Sequence, residues 1–289
     1  MSPGAVAITG AGGFVGSRLA RRFETDGWTV IRLSHSVGGG GRTLLFRLGS
    51  SVDPQLLDGA AALIHCAYDF GPRRREEIRR VNVEGSRLLL AAARDAGVGR
   101  IAVMSTISAF EGCRSEYGRA KLEIESAALE LGALVVRSGL VYGDGEPDAG
   151  GMIGSLARSA QRGLVPLVDG GVHPQYLIHE EDLYRLLRRY CSGELDSPGK
   201  PLVAASSRAW TLRDLLAELA RRQGHRPRFL AVPWQPVWAG LRLAELVHLP
   251  LPYRSDSLIS LIHQDRRPDF KGLAEAGIKT REFASAGGA

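Results

Sequence analysis

Thr9-Gly10-Ala11-Gly12-Gly13-Phe14-Val15-Gly16 follows a short apolar run, Ala5 to Thr9. It opens a segment, Phe14 to Asp26, in which Val15, Leu19 and Phe23 recur at helical spacing. Glycines at 10, 13 and 16 permit a tight turn, close approach of backbone to a pyrophosphate, and tight packing of helix on strand. The free N–H groups and positive dipole end of the helix would then face the phosphates. In a chain with 36 glycines the spacing alone says little. Its position between a first strand and a first helix marks it as a phosphate loop. Gly10, Gly12, Gly13, Phe14, Val15 and Gly16 are therefore candidate cofactor residues.

Outward from this loop, β-rich runs and helical periods alternate. Trp28 to Leu33, Thr43 to Phe46, Ala61 to Cys66, Ile101 to Thr106 and Ala133 to Val136 read as strands, and Arg73 to Asp95 and Ser115 to Leu131 as long helices. Such alternation implies right-handed crossovers and a parallel sheet covered on both faces. The fold class expected is α/β, a Rossmann-type doubly wound parallel sheet. After Val141 the pattern loosens. A glycine- and proline-rich loop at 143–151, helices near Met152 to Gln161, Glu181 to Tyr190 and Thr211 to Gln223, and a proline-punctuated apolar stretch from Pro233 to Pro252 suggest a smaller substrate domain. The expected division is residues 1–142, rejoined by about 172–205, for the nucleotide domain, and 143–171 with 206–289 for the substrate domain. Gly38 to Gly41 reads as a flexible loop.

Composition excludes several classes. Of 289 residues, 44% are hydrophobic and 24% charged, which is ordinary for a globular chain and unlike a disordered or disulfide-built one. Cys66, Cys113 and Cys191 are scattered without metal-ligand spacing, and His173 and His179 have no carboxylate or cysteine spacing around them, so no metal is expected. The longest apolar stretch, Phe229 to Leu241, is interrupted by prolines and too short to span a bilayer, and the N-terminus lacks a signal pattern. A cytoplasmic protein with no membrane partner is the expectation. The net charge of +6 favours anions in general; the arginine runs at 73–75 and 79–80 alternate with Glu76 and Glu77 as a solvated helix face does, so no nucleic acid is expected.

An NAD site usually carries an acidic residue at the end of the second strand. Here Ser34-His35-Ser36 follows Leu33, while Arg32, His35 and Arg42 offer positive charge for a 2′-phosphate, which favours NADP over NAD. The alternative is that Arg32 merely points to solvent. Tyr117 and Lys121 lie four apart, on one helical face. An ammonium beside a phenol lowers the phenol's pKa, making Tyr117 an acid for a carbonyl oxygen or a base for an alcohol. The chain has only four lysines, so one at this place suggests that a compact ammonium is wanted. Ser105, Thr106 and Ser108 end a strand just upstream, where ligands sit in an open parallel sheet.

These residues resemble the extended short-chain dehydrogenase/reductases, the NAD(P)-dependent epimerase/dehydratase group. The resemblance covers nearly the whole chain. It rests on the glycine loop, His65-Cys66-Ala67, Asn82 to Ser86, the Tyr117/Lys121 pair, Arg137 to Gly143 and Ile178 to Asp182. It implies that Tyr117 is the acid/base and that Lys121 grips the nicotinamide ribose. Spacing to Phe110, which matches a family tyrosine, puts Thr106 in the catalytic hydroxyl position, with Ser105 or Ser108 as substitutes. Asn82 would support its helix or a relay water, or be a buried helix-kink residue. His65 and Ala67 would line the cofactor through their backbone. Ser108, Tyr142 and Arg254 are candidate substrate residues, Arg254 either for a diphosphate or as the partner of Asp256 or Asp269. Departures are Arg47 in place of the acid that meets the adenine and Ser138 in place of a proline.

The function implied is NADP-dependent reduction of a ketone, a nucleotide-bound 4-keto sugar or similar polar ketone, with hydride transfer at the nicotinamide. The alternative is an NAD-dependent sugar-nucleotide epimerase with no net redox change. A dehydratase would need an Asp-Glu pair after the hydroxyl, which Glu111 and Glu116 do not supply, and a redox-sensing protein without chemistry typically lacks the Tyr/Lys pair. The resemblance also implies a homodimer through the two long helices.

Overall fold

The computed structural model describes residues 4–36, 43–144, 150–249, 251, 253–265 and 267–283. Arg42, Pro252 and the glycine run at 38–41 lie outside them. The first half runs β1 (Ala5–Thr9), α1 (Phe14–Thr25), β2 (Thr29–Ser34), β3 (Thr43–Leu45), β4 (Ala60–His65), α2 (Arg75–Ile78), α3 (Gly85–Asp95), β5 (Arg100–Thr106), α4 (Glu116–Glu130) and β6 (Leu134–Ser138). It continues through β7 (Leu140–Tyr142), α5 (Gly151–Ala160), β8 (Leu164–Val168), β9 (Pro174–Gln175), β10 (Leu177–His179), α6 (Glu180–Cys191) and β11 (Leu202–Ala204). Last come β12 (Trp210–Thr211), α7 (Leu212–Arg222), β13 (Arg228–Val232), α8 (Trp234–Leu246), α9 (Ser255–Ile262) and α10 (Lys271–Glu275).

Seven strands form one sheet in the order β11-β6-β5-β4-β1-β2-β3, and every pairing in it is parallel. Period-2 alternation explains the two cores. Val6 and Ile8 meet Leu19 and Phe23 of α1 and Leu183, Leu186 and Leu187 of α6 on one face. Ala7 and Leu63 meet Leu89 and Leu90 of α3 and Ile124 of α4 on the other. Each such fully buried side chain stabilises the fold by about 1.5–3 kcal/mol, which is why a sheet buried on both faces tolerates no polar strand residue without a partner. The chain leaves β1 towards β2 and β3, then returns to build β4, β5 and β6 on the other side. Loops after β1 and β4 therefore diverge and open a crevice at the strand C-termini.

Two expectations change. The helix expected over 73–95 is interrupted by a π-turn at 79–84 between α2 and α3. Asn82 lies in this turn, fully buried. The apolar stretch after Pro233 contains a regular helix, α8: Pro233 is its N-cap and Pro236 falls in the first turn, where a missing N–H costs nothing. Two-stranded pairings β7/β10, β8/β13 and β9/β12 were not legible in the sequence; the first two are parallel and the third antiparallel. Their strands are two to five residues long, and β8 contains Pro166. No helix among the described residues is long and apolar enough to cross a membrane.

Candidate active site

The phosphate loop is built so that side chains are kept out. Gly10 has φ +67°, and a Cβ there would meet the Ala67 N–H at 2.9 Å. A Cβ on Gly16 would run into the Gly10 carbonyl, and one on Gly12 would stand 2.8 Å from Ser34 Oγ. The Gly13 N–H donates to Gly10 O (2.9 Å), closing the turn, and no side chain caps α1. The first-turn N–H groups thus point at a cradle that only a ligand backboned by phosphates would suit. Thr9 holds the opposite lip: its hydroxyl accepts from the Cys66 and Ala67 N–H groups (3.1 and 3.2 Å) and contacts His65 Nδ1 at 2.7 Å. His65 Nε2 bonds Ser86 Oγ at 2.9 Å, and burial, with Lys121 nearby, pushes this imidazole down to about 3. It is a neutral, packed ring.

The loop opens into a cavity of about 1400 Å³. All six phosphate-loop candidates are on its wall, as are His35, Ala67, Thr106, Ser108, Tyr117, Lys121 and Arg254. Ser115 caps α4 by accepting the Gly118 N–H (3.1 Å), and the Asp256 carboxylate accepts the Glu116 and Tyr117 N–H groups (2.7 and 3.1 Å). The helix start that carries Tyr117 is therefore tied to α9. Thr106, whose hydroxyl favours the charged form of the Tyr117 phenol, accepts the Ser108 N–H on its Oγ1 at 3.2 Å. Ser105 is committed elsewhere, its hydroxyl donated to Glu125.

The electrostatics reverse one expectation. Burial pushes the Tyr117 phenol up to about 12, relieved only by Thr106, and Lys121 does not bring it down. The reason is packing. The Tyr68 and Phe70 rings lie 4.9 and 5.6 Å from the Tyr117 ring and exclude the solvent a phenolate needs. Lys121 Nζ instead donates to Met104 O (2.8 Å) and sits 5.1 Å from the Tyr68 ring. Burial lowers Lys121 to about 8 against the pull of neighbouring Cys66 and Glu125. Cys66, on the same wall, is pushed up to about 12 by burial.

Several expected site residues are elsewhere. Arg32 turns to Glu24 on α1, with Nε–Oε1 at 3.0 Å and Nη2–Oε2 at 2.7 Å, and is not on the cavity wall. Arg47, exposed at the end of β3, lines the cavity beside Ser34 and His35 instead. Asn82 is off the wall: its amide accepts the Asp69 N–H (2.7 Å) and donates to Asp69 O (2.9 Å), holding the loop after β4. Tyr142 is buried, its hydroxyl donated to Arg281 O (3.1 Å) and its ring packed on His179 and Phe283. Arg254 pairs with neither Asp256 nor Asp269; its Nη1 donates to Phe70 O (3.0 Å) and Pro72 O (3.1 Å).

Sequence reading missed Glu125. It lies eight residues beyond Tyr117 on the same helical face and is 2% exposed. Its carboxylate takes Arg137 Nη2 at 2.6 Å and Nε at 3.0 Å as well as the Ser105 hydroxyl, so it joins α4, β5 and β6 behind Lys121. The four-residue spacing 117, 121, 125 was the available signal.

Comparison with known proteins agrees with this geometry. The chain is 30% identical to the ceramide reductase of Caulobacter vibrioides over 94% of its own length and 88% of that protein's. MoeE5 in complex with UDP-glucuronic acid and NAD superposes with a TM-score of 0.68 at 23% identity, covering 94% of this chain and 97% of that one. The UDP-glucose 4-epimerase of Thermotoga maritima superposes with a TM-score of 0.66 at 20% identity, covering 79% and 85%. Both structures share the fold. The profile of the NAD dependent epimerase/dehydratase family matches residues 6–193, from the first strand through α6. Because that stretch contains the phosphate loop, the Tyr117/Lys121 helix and all but one strand of the large sheet, the chain belongs to the NAD-dependent epimerase/dehydratase family, as an enzyme of the extended short-chain dehydrogenase/reductase type.

Proposed function

We propose that this enzyme is an NADPH-dependent reductase of a ketone that carries a long apolar portion. The observation that carries this reading is the wall beyond Tyr117. Phe70, Met152, Leu156, Val237, Leu241 and Leu261 line it. A nucleotide sugar is polar throughout and would leave such a wall facing hydroxyls and phosphates; an alkyl chain would bury against it. The acids on the wall, Asp69 and Asp256, already accept backbone N–H groups. The similarity to a ceramide reductase points the same way. This reading takes a lipid-like ketone where the sequence suggests a polar keto sugar.

The glycine cradle fits a dinucleotide pyrophosphate: side chains at Gly10, Gly12 or Gly16 would collide with the atoms that shape the tight turn, which leaves its backbone N–H groups open to a phosphate. The phosphate loop would hold the cofactor there, and a bound NADPH would provide the hydride for the substrate carbonyl carbon. The Tyr117 phenol, protonated throughout the physiological range, gives its proton to the carbonyl oxygen. Thr106, on the same wall as Tyr117, offers a second contact to the same carbonyl. Lys121 uses one of its three donors on Met104 and has the others for a ribose hydroxyl. Ser34, His35 and Arg47 favour a 2′-phosphate at the adenosine end.

The second reading, a sugar-nucleotide epimerase, is favoured by one feature, the presence of Arg162 and Arg254 on the wall, where a diphosphate would find positive charge. One assay separates the two. A ceramide oxidised to its 3-ketone should consume NADPH, and a UDP-4-keto-hexose should not. Interconversion of UDP-hexoses with no net NADPH change, together with stoichiometric NAD released on denaturation, would establish the epimerase instead.

A further inference from the structure

Among the described residues, the densest run of exposed large apolar side chains lies between Trp238 and Leu251. Trp238, Leu243, Leu246, Val247, Leu249 and Leu251 are 37–70% exposed. Of the thirteen residues of α8 only Ala244 is buried. A run of exposed apolar side chains of this kind, a ridge along α8 and the segment after it, marks a site of contact. The ridge is also the outer side of the cavity: Val237 and Leu241, on the inner face of the same helix, line the wall, which continues to Tyr253, Leu258 and Leu261.

Charge identifies the partner. From His225 to Arg254 the chain has four arginines, at 226, 228, 242 and 254, and a single acid, Glu245. That carboxylate is occupied: it accepts the Ser255 N–H and hydroxyl, each at 2.8 Å, and faces Arg242 at 3.3 Å. Arg226, Arg228 and Arg242 are exposed. A second copy of the chain would set this positive rim against itself. An anionic lipid surface meets both features, because its headgroups take the arginines and its acyl boundary takes the ridge. Lying in that layer needs no membrane-crossing helix, so the absence of a span among the described residues is consistent with it.

We propose that α8 and the stretch to Tyr253 dock on an anionic phospholipid bilayer, apolar ridge inward, bringing the cavity beside the lipid from which its substrate comes. The docking stands on the ridge and its charge; only the delivery of substrate rests on the ketone reading.

The test uses the full chain with vesicles of phosphatidylglycerol and phosphatidylethanolamine, against phosphatidylcholine vesicles. The protein should sediment with the anionic vesicles, with a blue shift in tryptophan emission that Trp238→Phe removes. The double variant Leu243→Glu/Leu246→Glu, at exposed positions, should retain its circular dichroism and bind about ten-fold less. Turnover of a short water-soluble ketone should be unchanged in that variant, while turnover of a vesicle-borne ketone should fall. Equal sedimentation of the variant would overturn the proposal. So would a dimer that the variant dissociates with no vesicle binding by the parent protein, or binding that disappears in high salt with no emission shift. Vesicle binding without turnover of any ketone would instead defeat the ketone reading and leave the docking intact.

Discussion

In the large sheet, Val6, Ile8, Leu63 and Val135 are fully buried, and the glycines of the phosphate loop leave no room for a methyl group. On α8, Leu243 and Leu246 are 63% and 70% exposed, and the cavity wall on its inner side is lined by side chains with space in front of them. One region is close-packed and polar only where a partner exists. The other holds apolar surface in reserve. The difference assigns different costs to change: substitutions in the first region should be felt as stability or chemistry, and those in the second as a shift in what is bound.

The sharpest test of that division is Tyr117→Phe. It removes the proton and leaves the rings around it in place, so kcat for ketone reduction should fall about 10²- to 10⁴-fold with little change in melting temperature. A variant that kept its rate would move the chemistry off this helix. Next in size is a matched pair of truncations. Leu63→Ala, in the sheet core, should cost about 2–5 kcal/mol in denaturant unfolding. Leu241→Ala, on the cavity wall, should cost less than about 1 kcal/mol while raising KM for a long-chain ketone. Equal stability losses would erase the distinction between the regions.

Much of the first region was legible because its signals are local. The glycine loop between strand and helix, the alternation of apolar strand residues and the 117/121 spacing each depend on a few neighbouring positions. Arg32 was misread because its partner, Glu24, lies across α1 and competes on distance, which no spacing rule reports. The 117/121 spacing predicts a lowered phenol, but the rings of Tyr68 and Phe70, which come from a loop after another strand, bury it and push it up. The small pairings around β8, β9 and β13 were invisible for the same reason: two to five residues carry too little pattern, and tertiary contact decides them.

Glu125 offers a test inside the close-packed region. Glu125→Ala strands Arg137 and frees Ser105, and should destabilise the protein by about 3 kcal/mol, the lower end for one partner of a buried pair because Arg137 is 21% exposed. Glu125→Gln keeps an acceptor for Ser105 and should lose less. If both leave the melting temperature unchanged, the network behind Lys121 is dispensable.

Lys121 adds a pH dependence of known sign. Its folded value, about 8, lies below the ordinary 10.5. Below pH 8 both folded and unfolded chains are protonated there, and the cost of burying the ammonium is present in full. Between pH 8 and 10.5 the folded chain releases the proton first, and the cost is relieved. Lys121→Met should therefore be more stable than the parent at pH 7, by on the order of 2–3 kcal/mol, with the difference shrinking as pH rises through that window. The parent's reductase rate should also decline above pH 8 as the cation is lost, although Tyr117 keeps its proton. A difference that is flat from pH 7 to 10 would show that the ammonium is better solvated than its burial implies.

The smallest expected effect compares two arginines near the adenosine end. Arg47 lines the cavity and is exposed to it, whereas Arg32 is tied to Glu24. A charge-assisted contact to a 2′-phosphate is worth about 1.5–3 kcal/mol, so Arg47→Ala should raise KM for NADPH by about ten-fold or more and leave KM for NADH unchanged. Arg32→Ala breaks a partly exposed ion pair and should cost only about 0.2–1 kcal/mol of stability, with no change in preference between the two nucleotides. The reverse result, a loss of NADPH preference in Arg32→Ala alone, would mean that the arginine leaves Glu24 when the nucleotide binds. The close-packed region would then be less rigid at its nucleotide edge than its glycine loop is, and the boundary between the two kinds of region would have to be redrawn through β2.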